Sequence, residues 1–249
     1  MTSPVAGIEV RGLTRTFGDV QAVSDLDFVV PPGSVYGLLG PNGAGKTTTL
    51  RMLGTLLAPT AGEAIVNGFN ISSHPEDVRR SVGFLTADTA LYPRLNPREL
   101  LRYFGALHGV ERDLLDERIA SLAERLEFTP FITQRCGTLS TGQRQRVSIA
   151  RALIHAPDVL IFDEPTAGLD MMAADFIGRM LAEERREGRT IVLSTHVLAE
   201  AELLCDRIGL IQGGRMVTEG TVSELQSEAG EPSLAAAILK LLAARGGSS

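Results

Sequence analysis

Lysine is almost missing from this chain of 249 residues. Of its 24 lysines and arginines, only Lys46 and Lys240 are lysines. The compact ammonium of lysine and the planar guanidinium of arginine are not interchangeable. A lysine retained against this bias indicates a site that needs an ammonium group.

The chain also has few cysteines, no long apolar run and no net positive charge. Cys136 and Cys205 are the only cysteines and lack metal-ligand spacing, so we expect both to be reduced. No run of about 18 apolar residues occurs, and residues 1–4 do not resemble a signal peptide, so we expect neither a membrane span nor a leader. The net charge of −6 gives no general attraction for nucleic acid, and we expect no such partner.

Short apolar segments separated by turns predict strands in the first and last thirds of the chain. Residues 26–30, 34–39 and 63–67 form the first group, and residues 158–162 and 190–194 form the second. The later strands are almost continuously apolar and alternate with helices. This pattern predicts an α/β fold with a mainly parallel sheet that is covered on both faces.

The middle third of the chain has helical periodicity. After Asp113, which we predict to be an N-cap, apolar residues recur at spacings of four, three and four, at Leu115, Ile119, Leu122 and Leu126. Residues 233–244 predict one further amphipathic helix, and we expect residues 246–249 to be frayed.

A glycine-rich segment follows the predicted strand at 34–39 and precedes a predicted helix at 47–57. It fits G-x-x-x-x-G-K-[ST] and consists of Gly40, Pro41, Asn42, Gly43, Ala44, Gly45, Lys46 and Thr47, with Thr48 next. Its glycines allow the backbone N–H groups to surround a phosphate at a helix N-terminus. We expect Lys46 to reach the β- and γ-phosphates of ATP, and Thr47 to bind Mg²⁺. The alternative is an ordinary glycine-rich turn.

Two acids follow a buried strand directly, at Asp163 and Glu164. The carboxyl end of such a strand is where α/β sheets bind ligands. Adjacent side chains point to opposite sides of a strand, so two roles are expected. Asp163 is a candidate Mg²⁺ ligand, and Glu164 is a candidate group to polarise an attacking water. The alternative is a solvated pair of acids in a turn.

Further motifs carry a family resemblance over about residues 8–222. Residues 139–147 resemble the ABC signature, with Thr141 where the usual pattern has glycine, residues 167–170 resemble the D-loop, and residues 194–196 resemble the switch-histidine segment. Phe17 stands at the place of the aromatic residue that stacks on adenine. The chain is therefore similar to the ATP-binding subunits of ABC transporters, most of all to the sodium-extrusion, ABC-2 exporter type.

The resemblance implies a P-loop NTPase fold with an N-terminal antiparallel β subdomain and an inserted α-helical subdomain. The ATPase domain is expected over residues 5–230, the helical subdomain over about 88–155, and a short C-terminal tail over 231–249.

The resemblance also implies residue roles. His196 would sense the γ-phosphate; the alternative is a histidine with a structural role only. Phe17 would stack on adenine; the alternative is a phenylalanine in the core. The signature and D-loop residues would contact a nucleotide across a head-to-tail dimer with the same or a homologous subunit: Ser140, Thr141, Gly142, Gln143 and Asp170. Ser140 is predicted to be a helix N-cap in either case.

One position departs from the family pattern. A glutamine that touches Mg²⁺ usually follows the strand near 81–85, but Ala87 stands there and cannot replace it. The neighbouring Asp88 has a carboxylate, and we hypothesise that it takes the metal-facing role.

The resemblance implies a separate membrane-spanning subunit, which would place this chain at the cytoplasmic face of the cell membrane. Residues 91–104 carry aromatic and aliphatic side chains that suit docking of a partner helix, or alternatively fill the helical subdomain's own core. The competing function is a soluble ABC ATPase of an assembly or nucleic-acid machine, which the absence of heptads and of a basic arm disfavours. A P-loop kinase is opposed by residues 140–143 and His196.

Overall fold

The strands form two sheets in a computed structural model that describes residues 7–86 and 90–246. In chain order the strands are β1 (Ile8–Phe17), β2 (Val20–Val30), β3 (Val35–Leu39), β4 (Ala61–Val66), β5 (Phe69–Asn70), β6 (Val82–Leu85), β7 (Val159–Asp163), β8 (Thr190–Thr195), β9 (Arg207–Gln212) and β10 (Arg215–Gly220). One sheet has the order β2-β1-β4-β5 and is antiparallel. The expected N-terminal antiparallel subdomain is therefore confirmed.

The second sheet has the order β10-β9-β3-β8-β7-β6 and is parallel except for the outer strand β10. Its central strands are buried along their whole length, as their continuous apolar sequences predict. Leu39 pairs with Thr195, and Asp163 pairs with Ser194. The loops after β3, β8 and β7 therefore leave the same edge of the sheet side by side.

The helices are α1 (Lys46–Leu53), α2 (Pro75–Ser81), α3 (Pro97–Leu107), α4 (Arg112–Arg125), α5 (Thr141–Leu153), α6 (Met171–Arg186), α7 (Leu198–Leu204), α8 (Val222–Ala229) and α9 (Leu234–Gly246). Helices α3 and α4 pack together, and α5 contacts both α3 and the edge strand β6. This is the inserted helical subdomain that the resemblance implied. Among the described residues, no helix is both long enough and apolar enough to span a bilayer.

Two predicted helix ends were wrong. Helix α4 begins two residues earlier than expected, with Glu111 as its N-cap, and Asp113 lies in its first turn. Helix α1 ends at Leu53, not at residue 57, because Gly54 closes it and Thr55 has a positive φ of 57°. A side chain at Gly54 would collide with the ring of Phe84, so the close approach of α1 to β6 requires glycine there.

Buried apolar side chains cover both faces of the parallel sheet. One cluster joins the helical subdomain to strands β6 to β8 through residues such as Leu100, Phe128 and Phe162. The opposite face packs on α1 and the antiparallel sheet. Helix α9, in the predicted C-terminal tail, packs against α8 and β10 and buries Leu234 and Ile238.

A buried acid links the helical subdomain to the sheet. Glu184 of α6 is fully buried, with 0% of its surface exposed. It forms ion pairs with Arg125 of α4 and with Arg189, whose Nε lies 2.7 Å from Glu184 Oε2. Removing one partner of a buried ion pair leaves charge without compensation and is strongly destabilising.

We predict that Glu184→Ala lowers the free energy of unfolding by about 3–5 kcal/mol, because Arg125 and Arg189 lose their buried counter-charge. Urea unfolding followed by circular dichroism measures the change. The matched control Glu183→Ala removes an exposed acid from the same helix and should change stability by less than about 0.5 kcal/mol. Equal effects from the two variants would contradict the prediction.

Candidate functional site

The glycine-rich loop turns sharply between β3 and α1. Gly40 lies so close to the carbonyl of Ile211 that an added Cβ would collide with it. Gly45 has a φ of 106° and caps α1, and a side chain there would meet the Ala22 carbonyl oxygen at 2.6 Å. Both positions therefore require glycine, and the turn directs the N-terminus of α1 into the space beyond the sheet.

Lys46 is folded back over the loop and is 5% exposed. Its Nζ donates to the carbonyl oxygens of Gly40 at 2.7 Å and Pro41 at 3.2 Å, and lies 3.8 Å from Glu164 Oε1. Burial lowers the pKa of Lys46, and the carboxylates of Glu164 and Asp163 partly offset this. The loop thus holds a cation beside two acids.

Asp163 ends β7 at the floor of the same space and is 4% exposed. Its Oδ1 accepts hydrogen bonds from Thr47 Oγ1 at 3.1 Å and from Ser194 Oγ at 2.5 Å. The first contact joins the phosphate loop to β7, and the second joins β7 to β8. These hydrogen bonds satisfy a buried charge that would otherwise be costly.

Glu164 has a left-handed backbone with a φ of 49°, which is uncommon outside glycine. Its N–H is held by Ser194, at 3.0 Å from Oγ and 3.2 Å from the carbonyl oxygen. Its carboxylate turns towards the loop after β8, where Oε1 lies 3.2 Å from His196 Nδ1. The structure therefore brings Glu164, His196 and Lys46 together.

A cleft of about 500 Å³ is lined by the glycine-rich loop, the start of α1 and the two acids. Nine of its lining residues were predicted from the sequence: Asn42, Gly43, Ala44, Gly45, Lys46, Thr47, Thr48, Asp163 and Glu164. Three were not: Ala22, Arg51 and Thr86. A cleft with a glycine-rich loop, a helix N-terminus and a lysine suits a phosphate chain.

The signature and D-loop residues line a second cleft of about 570 Å³, which shares no described lining residue with the first. Ser140, Gly142, Gln143 and Asp170 lie there together. Ser140 is the predicted N-cap of α5, and its Oγ accepts from the Gln143 N–H at 3.3 Å. Asp170 caps α6 in the same way, through the Ala173 N–H at 2.9 Å.

Two further described candidates, Thr141 and Phe17, do not line either cleft. Thr141, the first residue of α5, is exposed, and its Oγ1 accepts from Arg144 at 3.1 Å. The ring of Phe17 is 46% exposed on β1, with the Arg15 guanidinium 4.5 Å from its centre, so it is not a core residue. Asp88 and Ala87 lie outside the described residues.

Two polar residues that organise the site, Ser194 and Glu200, were not predicted as site residues. Ser194 was expected to end a strand and to begin the histidine segment, yet it contacts both acids. Glu200 accepts hydrogen bonds from Thr166 and from Thr195 Oγ1, the latter at 2.8 Å. No local motif identifies either residue, because their hydrogen-bond partners lie in other parts of the chain. The sequence offered one signal, the short polar run at 194–196 that ends a buried strand.

The comparisons with known proteins agree with this geometry. Residues 23–167 match the family model described as "ABC transporter". The ABC transporter ATP-binding protein NatA of Bacillus subtilis is 40% identical over 230 residues, which cover 90% of this chain and 94% of that protein. The daunorubicin/doxorubicin resistance ATP-binding protein DrrA of Streptomyces peucetius is 39% identical over 92% of this chain and 69% of that protein.

Solved structures show the same fold. The ATP-binding subunit of an ABC transporter is similar with a TM-score of 0.87 and 30% identity, over 95% of this chain and 99% of that one. A dimeric ATP-binding cassette in a post-hydrolysis state, bound to ADP and phosphate, is similar with a TM-score of 0.77 and 25% identity, over 86% of this chain and 98% of that one.

The fold and the phosphate cleft define a P-loop NTPase, as predicted. Within that class, the chain belongs to the ABC transporter family and is one of its ATP-binding subunits, an ATPase. Nothing in these comparisons supports the alternative of a soluble machine outside transport.

We predict that Ser194→Ala slows ATP hydrolysis and lowers the free energy of unfolding by about 1.5–3 kcal/mol, because Asp163 loses a hydrogen bond to a charged group. Steady-state ATPase assays and urea unfolding measure the two effects. Ser148→Ala is a matched control, since that buried hydroxyl donates only to the Arg144 carbonyl within α5. An unchanged rate for Ser194→Ala would contradict the prediction.

Proposed function

We propose that the chain hydrolyses ATP in the cleft between the glycine-rich loop and the two acids, and that this drives export through a separate membrane-spanning subunit. The observation that carries the proposal is the convergence on Glu164, whose Oε1 lies 3.2 Å from His196 Nδ1 and 3.8 Å from Lys46 Nζ. One carboxylate thus stands between a phosphate-binding cation and a histidine.

Glu164 is the group that orients the attacking water. Water attacks the γ-phosphorus in line, and the bond to the leaving ADP oxygen breaks. Lys46 and the backbone N–H groups at Gly43 to Thr47 meet the negative charge that develops. His196 contacts Glu164 and is placed to respond to loss of the γ-phosphate. Phe17, whose exposed ring is free to receive a base on one face, stacks on adenine.

Mg²⁺ fits the oxygens at the base of the cleft. Thr47 Oγ1 and Asp163 Oδ1 lie 3.1 Å apart, and hydroxyl and carboxylate oxygens are ligands that Mg²⁺ prefers. These two residues would hold the ion, which neutralises phosphate charge when bound. The role of Asp88 in this site remains a hypothesis.

The second cleft supports a head-to-tail dimer. Ser140, Gly142 and Gln143 open α5, where Ser140 and Gln143 cap each other's backbone N–H groups. A helix N-terminus leaves further first-turn N–H groups without intrahelical partners, and these attract an anion. The three residues lie in a cleft separate from Lys46 of the same chain, so they serve a nucleotide bound by a second subunit. Thr141 stands beside them on α5, and Asp170 borders this face. ATP then holds the two subunits together, and hydrolysis removes the contact to the γ-phosphate.

The membrane partner is supported by relatives and by an exposed aromatic surface. Two relatives are named for Nod factor export and for daunorubicin/doxorubicin resistance, which favours export. Tyr92 and Tyr103 are 51% and 47% exposed and lie edge to face with ring centres 5.9 Å apart. Such a surface suits a cytoplasmic helix of the membrane subunit. We propose that this docking holds the chain at the cytoplasmic face of the cell membrane. Sodium remains the substrate that the resemblance predicts.

We predict that Glu164→Gln binds ATP but lowers kcat at least about 100-fold, because the amide cannot polarise water as the carboxylate does. The variant should accumulate as an ATP-bound dimer, which size-exclusion chromatography with light scattering detects. Glu202→Gln, in the exposed part of α7, is the control and should behave like the parent. Parental turnover by Glu164→Gln would remove Glu164 from this role.

A second prediction concerns the metal. Thr47→Ala should raise the Mg²⁺ concentration that gives half-maximal ATPase activity, since one oxygen ligand is lost. A Mg²⁺ titration at fixed ATP measures the shift. Thr55→Ala is the control, because that hydroxyl accepts from Arg79 outside the cleft. An identical titration curve for Thr47→Ala would contradict the assignment.

A further inference from the structure

The carboxylate of Glu200 bridges two loops of the candidate site. Glu200 lies in the first turn of α7 and is half-buried. One oxygen accepts from Thr166 Oγ1, two residues after Glu164, and the other accepts from Thr195 Oγ1 at 2.8 Å, one residue before His196. Hydrogen bonds to an ionised acceptor are roughly twice as strong as those between neutral groups.

If the loop that carries His196 moved away from Glu200, the hydrogen bond between Glu200 and Thr195 would break. Thr195 is 2% exposed, and its Oγ1 also accepts from the Val197 N–H at 2.9 Å. The backbone on both sides of His196 is therefore fixed through one hydroxyl that Glu200 holds. His196 itself is exposed, and the residue before it, Thr195, is paired with Leu39 in the sheet, so the bridge adds a side-chain contact to that pairing.

The loop that carries Glu164 is held from a second side by the signature helix. Gln145 of α5 donates from Nε2 to the carbonyl oxygen of Pro165 at 2.5 Å. Pro165 stands between Glu164 and Thr166. Loss of Glu200 would remove the hydrogen bond to Thr166 and leave the one between Gln145 and Pro165. We therefore expect the fold to be retained and the position of Glu164 to become less well defined.

We propose that Glu200 is a positioning residue for ATP hydrolysis, which sets the distance between Glu164 and His196 by tying together the loops after β7 and β8. The proposal rests on the roles proposed above for those two residues. Within residues 7–86 and 90–246, the side-chain hydrogen bonds of Glu200 go to Thr166 and Thr195, neither of which lines the phosphate cleft, so Glu200 acts on geometry and not on nucleotide binding.

The test is steady-state kinetics of the full chain with Glu200→Ala and Glu200→Gln. Displacing a reacting group by about 1 Å can cost on the order of 100-fold in rate, so we expect Glu200→Ala to lower kcat by about 10- to 100-fold. KM for ATP should change less than about twofold, since binding contacts are intact. Glu200→Gln should keep kcat within about threefold of the parent, because its amide accepts from one threonine and donates to the other.

The control is Glu202→Ala, which removes an exposed acid from the same helix and should leave kcat and KM unchanged. If Glu200→Ala is too unstable to assay, Thr166→Val tests the proposal instead, because it removes one hydrogen bond of the bridge. A loss in kcat of at least about threefold for Thr166→Val supports the proposal. An unchanged kcat overturns it.

Three results overturn the proposal: parental kcat for Glu200→Ala, a raised KM with parental kcat, or an equal loss for Glu200→Gln and Glu200→Ala. A parent chain that does not hydrolyse ATP would overturn the proposed function itself, so the two failures are distinguishable.

Discussion

The parallel register of β3, β8 and β7 is the constraint on which the candidate site depends. Leu39 is paired with Thr195, and Asp163 is paired with Ser194. Residues that are far apart in the chain therefore leave the sheet at one edge, where parallel strands present their carboxyl ends. A shift of one residue in this register would turn the side chains of a strand to the other face and separate the site.

Polar contacts convert that alignment into a defined geometry. The Ser194 hydroxyl donates to Asp163 and accepts from the Glu164 N–H. The second contact supports the left-handed backbone at Glu164, which directs its carboxylate towards Lys46 and His196. Backbone strain of this kind persists where surrounding contacts determine the conformation, and such positions cluster at functional sites.

The parts of the site that are contiguous in the sequence could be predicted, and the parts that depend on tertiary contacts could not. The loop at 40–47 needs glycine, lysine and threonine at fixed spacing, so its pattern can be recognised from the sequence alone. Ser194 and Glu200 act on partners 31 and 34 residues away, and serine and glutamate are too common to stand out. The fold followed a similar rule. The apolar strands at 34–39, 158–162 and 190–194 and the periodic helix after Asp113 were predicted from the sequence. The ends of α1 and α4 were not, because they depend on the local conformation at Gly54, Thr55 and Glu111.

The proposed nucleotide-binding groups are divided between two clefts. Our central claim is therefore that each ATP needs Lys46 of one subunit and Ser140 of another. Mixing two inactive variants tests it most directly. Lys46→Ala disrupts the glycine-rich-loop side of the shared site, and Ser140→Arg disrupts the signature side. Each variant alone should therefore lack ATPase activity. In a mixed dimer, one of the two sites has both faces intact, and the mixture should regain activity. Parental activity of Ser140→Arg alone, or a mixture no more active than either variant, would contradict the claim.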